Sequence, residues 1–220
     1  MNLRAAVEAG DVECVKSLLA SGADANGVNE WNRPLLIQAI DFGQTEIAEL
    51  LISGGANVNV KITVSDNSTP LHWAAGGAKS GPNLAIARLL LANGAHVDAK
   101  TKAGNTPLMW AAKSKKESAV AVAELLLAHG ADLNCQGFDG IPLQYAQDEG
   151  TAAMVTMLRG RRKASLPGNR NLAGRRCPKC QSPDVEQTDI LPTREVWECI
   201  TCKHAWSIWS PPYQHRNEGY

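Results

Sequence analysis

The dipeptide Gly-Ala, usually followed by Asp or Asn, returns four times along this chain, as Gly22-Ala23-Asp24, Gly55-Ala56-Asn57, Gly94-Ala95-His96 and Gly130-Ala131-Asp132. The steps between copies are 33, 39 and 36 residues, and each copy follows an apolar run at helical spacing. A chain with such a period is not built around one central core. Each copy is a short supersecondary unit with one apolar side, and neighbouring copies must stack to cover it.

A second signature sets the phase of the unit. Thr69-Pro70-Leu71-His72-Trp73-Ala74-Ala75 returns as Thr106-Pro107-Leu108-Met109-Trp110-Ala111-Ala112 and more loosely as Ile141-Pro142-Leu143-Gln144-Tyr145-Ala146. A threonine supplies an N-terminal hydroxyl cap, and the proline after it lacks an amide hydrogen that a first helical turn would leave unpaired anyway. Each signature therefore marks the start of a helix. The second helix of each unit carries apolar residues at i, i+3 and i+4: Val15/Leu18/Leu19, Ile47/Leu50/Leu51, Ile86/Leu89/Leu90, Val122/Leu125/Leu126 and Met154/Met157/Leu158. The glycine that follows ends the helix, and the Asp or Asn residues turn the chain into an extended finger. Against a period of 33, residues 76–83 and 113–117 carry the extra length. They lengthen the turn between paired helices in two successive units, so both should project from the same side.

On these residues the segment resembles the ankyrin repeat family, with the T-P-L-H-x-A signature intact from Thr69 to Ala74. The resemblance covers residues 1–158 as five units: a first without its finger, three full ones and a truncated last one. Two departures stand out: Arg33-Pro34-Leu35 offsets the proline by one, and the fifth unit is one residue short before Ile141. The implied fold class is mainly α, a solenoid of helix-turn-helix units, and the implied role is protein binding through a concave face of finger tips and first helices.

Candidate contact residues follow from that frame. Trp73, Trp110 and Tyr145 occupy one position in three successive units, three residues after the proline, and should form an aromatic column. Two readings fit the column: an interface ladder, or rings packed between neighbouring units. Trp31 with Asn32, Lys61, Lys102 and Phe138 lie on fingers, where Trp31 and Phe138 have little to bury them. Val58 to Val64 alternates apolar and polar, which predicts a longer hairpin in the one finger that is two residues longer than the others. The resemblance implies that His72 braces a turn. No nucleophile elbow or phosphate loop occurs, and His72, His96 and His129 lack a spaced partner for acid–base or metal work, so neither enzyme activity nor a small-molecule substrate is expected.

Net charge is zero over 220 residues, but it is segregated. Residues 1–158 carry 11 basic and 16 acidic side chains, residues 159–176 seven basic and none acidic, and residues 177–220 four and six. The middle segment, interspersed with Gly, Pro, Ser and Asn, reads as a flexible linker. Its Arg161, Arg162, Lys163, Arg175 and Arg176 either contact phosphates of DNA or RNA or are simply solvated. No run of about 18 apolar residues suggests a membrane span, and the N-terminus lacks secretory-signal zones, so an intracellular, cytoplasmic protein is expected, with a nuclear one open if the cell has a nucleus.

Four of the six cysteines form two pairs, Cys177-Pro178-Lys179-Cys180 and Cys199-Ile200-Thr201-Cys202, separated by 18 residues. Each Cys-x2-Cys turn can present two thiolates to one tetrahedral zinc, and four ligands leave no open position, so a single structural Zn2+ is expected. Metal binding on the order of 10 kcal/mol would be the folding energy of so short a segment. Residues 177–209 thus resemble the zinc-ribbon family, with Trp197 and Trp206 over a small β-sheet, although Gln181 and Lys203 stand where ribbons often have glycine. His204 is a weaker alternative ligand. Residues 210–220 show no helical or strand period and read as a mobile tail. The functional expectation is a non-enzymatic adaptor that binds a protein partner, with a nucleic-acid-associated regulator as the alternative.

Overall fold

The computed structural model describes residues 2–62, 66–165, 185–191, 194–199 and 205–209. The chain divides into two units, Met1–Gly160 and Arg161–Tyr220. In the first, helices come in pairs: α1 (Leu3–Ala9) with α2 (Val12–Ala20), α3 (Leu35–Asp41) with α4 (Thr45–Ser53), α5 (Pro70–His72, continued by a π-turn over Trp73–Gly77) with α6 (Leu84–Ala92), α7 (Pro107–Lys113) with α8 (Ser118–Ala128), and α9 (Pro142–Asp148) with α10 (Ala152–Ser165). This is the five-unit stack that the period implies.

The stripes of the second helices do what their spacing requires. Val15, Ile47, Leu51, Ile86, Leu90, Val122, Leu126, Met154 and Leu158 are all buried, in one continuous cluster that runs from Leu3 to Leu158. The second helices α2, α4 and α6 each contribute one buried side, and the first helix α3 is buried along its whole length between its neighbours, so the cluster exists only because successive units share it.

A polar ladder fixes the step between units. Asn26 accepts the Asn57 backbone N–H at 2.8 Å and donates to the Gly55 carbonyl at 3.2 Å. Asn59 repeats this one unit later, on the His96 N–H at 2.8 Å and the Gly94 carbonyl at 3.0 Å. Asp98 accepts from the Asp132 N–H at 3.1 Å, and as a carboxylate has no donor for the second bond. The residue three positions after the first three Gly-Ala pairs therefore reaches forward to hold the next turn.

Structure and sequence agree on one departure and part in two places. The first-helix start of the second unit is offset as the proline suggested, so Pro34 precedes the helix and Leu35 is its first residue. The alternating stretch forms no strand among its described residues. Val58 and Asn59 make a turn, and only Ile62 exchanges backbone hydrogen bonds across the finger, with Ser68 and Asn67 at 3.1 Å each. Thr63 and Val64 of the alternating stretch lie outside the described residues, and Asn67 on the returning side sits at φ 62. The expected flexible linker also begins as helix: α10 continues through Arg159, Arg161, Arg162 and Lys163 to Ser165. Arg, Lys and Ala are strong helix formers, and cations at a helix C-terminus complement its dipole. Residues 166–176 lie outside the described residues.

In the second unit three antiparallel strands lie in chain order, β1 (Val185–Leu191), β2 (Arg194–Cys199) and β3 (Ala205–Trp209). Trp197 stands opposite Trp206 in register, and a bulge interrupts β1 between Gln187 and Asp189.

The inserted residues are tied to the stack by one buried carboxylate. Asp41, 1 % exposed at its side chain, accepts from Arg33 Nη1 at 3.0 Å and from the Lys79 backbone N–H at 2.8 Å, while its own carbonyl accepts from the Ser80 N–H at 3.1 Å. Replacing Asp41 with Ala leaves a buried guanidinium without its partner and should cost about 3 kcal/mol in urea unfolding, with the midpoint falling accordingly.

Candidate functional site

Built up from the first helices, the inner face of the array is organised by the position three residues into each helix. That position holds Gln38, Trp73, Trp110 and Tyr145 in successive units. Gln38 is buried and accepts from Asn29 Nδ2 at 2.9 Å. Trp73 and Trp110 are half-buried and meet edge to face, with ring centroids 6.0 Å apart at 62°. Trp73 Nε1 donates to Ser68 Oγ at 3.0 Å, and the Arg33 guanidinium lies 4.2 Å above its ring. Tyr145 is buried. Its hydroxyl donates to Asn105 Oδ1 at 2.8 Å and accepts from the Asp139 N–H at 3.1 Å. The expected column therefore exists, but its rings are mainly packed between units. Trp73 and Trp110 keep a half-open side and Tyr145 does not.

The glycines of the longer insertion make room for this packing. A Cβ on Gly76 would collide with the Trp110 carbonyl, and one on Gly77 with the Trp110 indole. The chain at this point is wound one residue wide, with the Ala78 N–H on the Trp73 carbonyl at 3.0 Å. A π-turn is how a helix absorbs an extra residue. So the insertion begins inside the first helix of the third unit and not after it.

Between this turn, α7 and α9 runs a groove of about 480 Å3, lined by Gly76, Asn105, Trp110, Lys113, Lys115 and Glu149 among others. Lys113 pairs with Glu149 at 3.0 Å, and that hydrogen bond holds the ammonium pKa above its ordinary value. The two insertions pack on each other, with Lys116 Nζ donating to the Ser80 carbonyl at 3.2 Å. They do lie on one side of the array.

The remaining sequence-expected contacts separate by exposure. Trp31 is 69 % and Phe138 83 % exposed on their fingers. Asn32, Lys61 and Lys102 are also exposed. Arg161 lies in α10, as do the backbones of Arg162 and Lys163, whereas Arg175 and Arg176 lie outside the described residues. So do Cys177, Cys180, Cys202 and His204, while Cys199 is the last residue of β2. Cys14 and Cys135 are free thiols, and burial pushes the Cys135 thiol up. Arg33, Asp41, Asn105 and Lys115 were not singled out from sequence. The signal was present for the first pair, since aligned units put a carboxylate, Asp41, where the next unit has Gly76.

With this geometry the first unit is a stacked helix-pair solenoid whose fingers and first helices face one way, the class defined by repeat arrays. A model of the family described as Ankyrin repeats (3 copies) matches residues 3–101 and 76–166, and the chain belongs to that family. It is 33 % identical over 137 residues to an ankyrin repeat protein of fowlpox virus (FPV024), covering 61 % of this chain and 22 % of that protein. It is 33 % identical over 121 residues to the E3 ubiquitin-protein ligase Ufd4 of Drosophila melanogaster, covering 54 % and 4 %. Against the B-cell lymphoma 3 protein homolog of Mus musculus it is 35 % identical over 108 residues, covering 49 % and 23 %. The matched regions thus span less than a quarter of each of these relatives. Among the described residues no helix is long and apolar enough to cross a membrane, and no group of three or more His, Cys, Asp or Glu is placed to hold a metal ion.

His72 braces the turn, as the sequence suggested. Its Nδ1 accepts the Thr69 N–H at 3.2 Å and lies 2.9 Å from the Thr69 hydroxyl, so Nε2 carries the proton and donates to the Asn105 carbonyl in the next unit at 3.0 Å. The indole of Trp110 covers the ring at 5.2 Å. Burial lowers its pKa from 6.5 to about 4. The folded state therefore holds the ring neutral while the unfolded chain takes up a proton. Stability is complete above pH 6.5 and declines toward pH 4 by up to about 3 kcal/mol. Met109, which occupies the same position one unit on, supplies the control: thermal melts of His72→Met should lose this part of the pH dependence between pH 6.5 and 4.

Proposed function

We propose that the chain is a non-enzymatic adaptor that grips a protein partner with the fingers and first helices of its ankyrin array, in an intracellular setting. The observation that carries this reading is the exposure of Trp31 and Phe138 at finger tips. Two large apolar side chains held in water on ordered loops are a standing cost unless a partner covers them, and aromatic residues dominate interface energetics. Trp73 and Trp110, half-open on the inner face, extend that surface, with Lys61, Asn32 and Lys102 as polar rim contacts. Tyr145 supports the face from beneath. Ankyrin repeats generally mediate protein–protein interaction.

The second part of the proposal is a zinc ribbon at the C-terminus, with one Zn2+ held by Cys177, Cys180, Cys199 and Cys202. The strand register supports it. Cys199 closes β2 opposite Val185, Cys202 falls in the connection to β3, and Cys180 precedes Val185 by five residues. In the described register the start of β1 lies beside the end of β2, Val185 opposite Cys199. A metal with four thiolates would supply folding energy and no catalytic position.

Two measurements test these parts. Affinity capture with the full chain should lose its specific partner when Trp31→Ser and Phe138→Ser are combined, and keep it when the outward-facing Glu124 is changed to Gln. Retention by the finger variant would overturn the adaptor reading. Metal analysis of the untagged protein should give about one zinc per chain, and the double variant Cys180→Ser/Cys199→Ser should fall to near zero. A full complement in that variant would rule these ligands out.

A further inference from the structure

In a solenoid the order of units along the chain is their order in space, so charge counted along the sequence becomes charge banded along the molecule. Residues 1–60 carry three basic and eight acidic side chains. Residues 61–116 carry eight basic and two acidic, and residues 117–165, to the end of α10, carry six acidic and four basic, the four all in the last turns of α10. The array as a whole is acidic, yet its middle is a positive belt between two negative ends. Summed fields of this kind select partners and orient them.

The belt is concentrated where the inner face is built. Lys100 and Lys102 lie on the finger that leads into α7, and Lys113 and Lys115 line the groove at the far end of that helix. Lys116 and Lys79 continue the rim onto the third unit's insertion. Lys113 is engaged by Glu149 and Lys79 Nζ lies 3.8 Å from Asp41 Oδ2, but no described carboxylate lies within ion-pair distance of Lys115 or Lys116. The half-buried indole of Trp110 and the Asn105 side chain sit between these cations.

We propose that the third and fourth units form a receptor for a short acidic stretch of an extended protein segment, about six residues long. This deepens the concave-face reading and rests on it. The length follows from the banding. Stacked helices are 8–10 Å apart, so two units span about 20 Å, and an extended chain covers about 3.3 Å per residue. A longer acidic run would carry its charges over the negative ends and lose there what it gains in the middle. Nucleic acid is disfavoured for the same reason, because its phosphates repeat without interruption beyond the belt.

The test is fluorescence anisotropy with the full chain at low salt. The probes are a labelled peptide of six alternating Glu and Asp residues flanked by Gly-Ser, the same peptide with Gln and Asn, a fourteen-residue acidic run, and a single-stranded oligothymidylate. The six-residue acidic peptide should bind at least tenfold more tightly than its amide counterpart. The fourteen-residue run should gain less than twofold over it. Lys115→Glu combined with Lys116→Glu should weaken it at least tenfold, with the helical circular dichroism unchanged, and Lys16→Glu outside the belt should not. Should the double reversal unfold the chain, Lys115→Gln alone should still weaken binding severalfold. Equal binding of the amide peptide, indifference to the lysine variants, a large gain with the longer run, or tighter binding of the oligothymidylate would each overturn the proposal. If a partner lost on changing Trp31 and Phe138 binds undiminished to the Lys115/Lys116 variant, the adaptor reading survives and the acidic receptor does not.

Discussion

Everything in the array depends on the lateral burial of one helix side by the next unit. A helix of seven to nine residues is too short to persist in water on its own, and its apolar stripe is too narrow to fold upon itself. Leu51 and Leu90, fully buried in successive outer helices, are out of water only because the neighbouring pair is present. The same constraint explains the Asn26 and Asn59 ladder. Stacking by apolar contact alone leaves the angle between units soft, whereas a side chain that both accepts from and donates to the next turn sets one spacing and one twist.

The elements that recur were legible in the sequence because recurrence is how this architecture is written. Thr69-Pro70 and Thr106-Pro107 mark helix starts through the proline, whose fixed φ suits a first turn, whereas the expected hydroxyl caps are not made: Thr69 meets the His72 ring and the Thr106 hydroxyl finds no partner. The stripes at i, i+3 and i+4 were equally plain. What escaped were features decided between units. The π-turn at Trp73–Gly77 follows from the fit of Trp110 against Gly76 and Gly77, a contact between residues more than 30 positions apart. The alternation of Val58 to Val64 predicts a strand, yet its described part turns at Val58 and Asn59 and pairs across the finger through Ile62. The cationic run after residue 158 was read as linker from its composition, although Arg and Lys extend a helix as readily as they solvate a loop.

The candidate site divides in the same manner. Alignment of units located the Trp73, Trp110 and Tyr145 column, yet could not decide how much of each ring faces outward. That depends on what the neighbouring finger offers. Asn105 and Asp139 reach the Tyr145 hydroxyl and draw the ring in, whereas Trp73 finds only Ser68 and remains half-open. Arg33 and Asp41 form their pair across eight residues of chain, and aligned units hint at it only by contrast, with Ser68 and Gly76 at the two positions in the next unit.

A repeat frame makes its departures the informative residues. Where His72 braces one turn, Met109 fills the equivalent place with a thioether that only weakly accepts the Thr106 N–H at 3.4 Å, and the Thr106 hydroxyl is left buried without a partner. The fourth unit is thus held less firmly by its own cap and more by what packs on it: the π-turn on one side, Lys113 with Glu149 on the other. The lysines of the two insertions gather at that same unit. Extra length, the widened helix and the positive belt therefore coincide on one stretch of the inner face, where the same residues that pack the third unit on the fourth also set the charge a partner would meet.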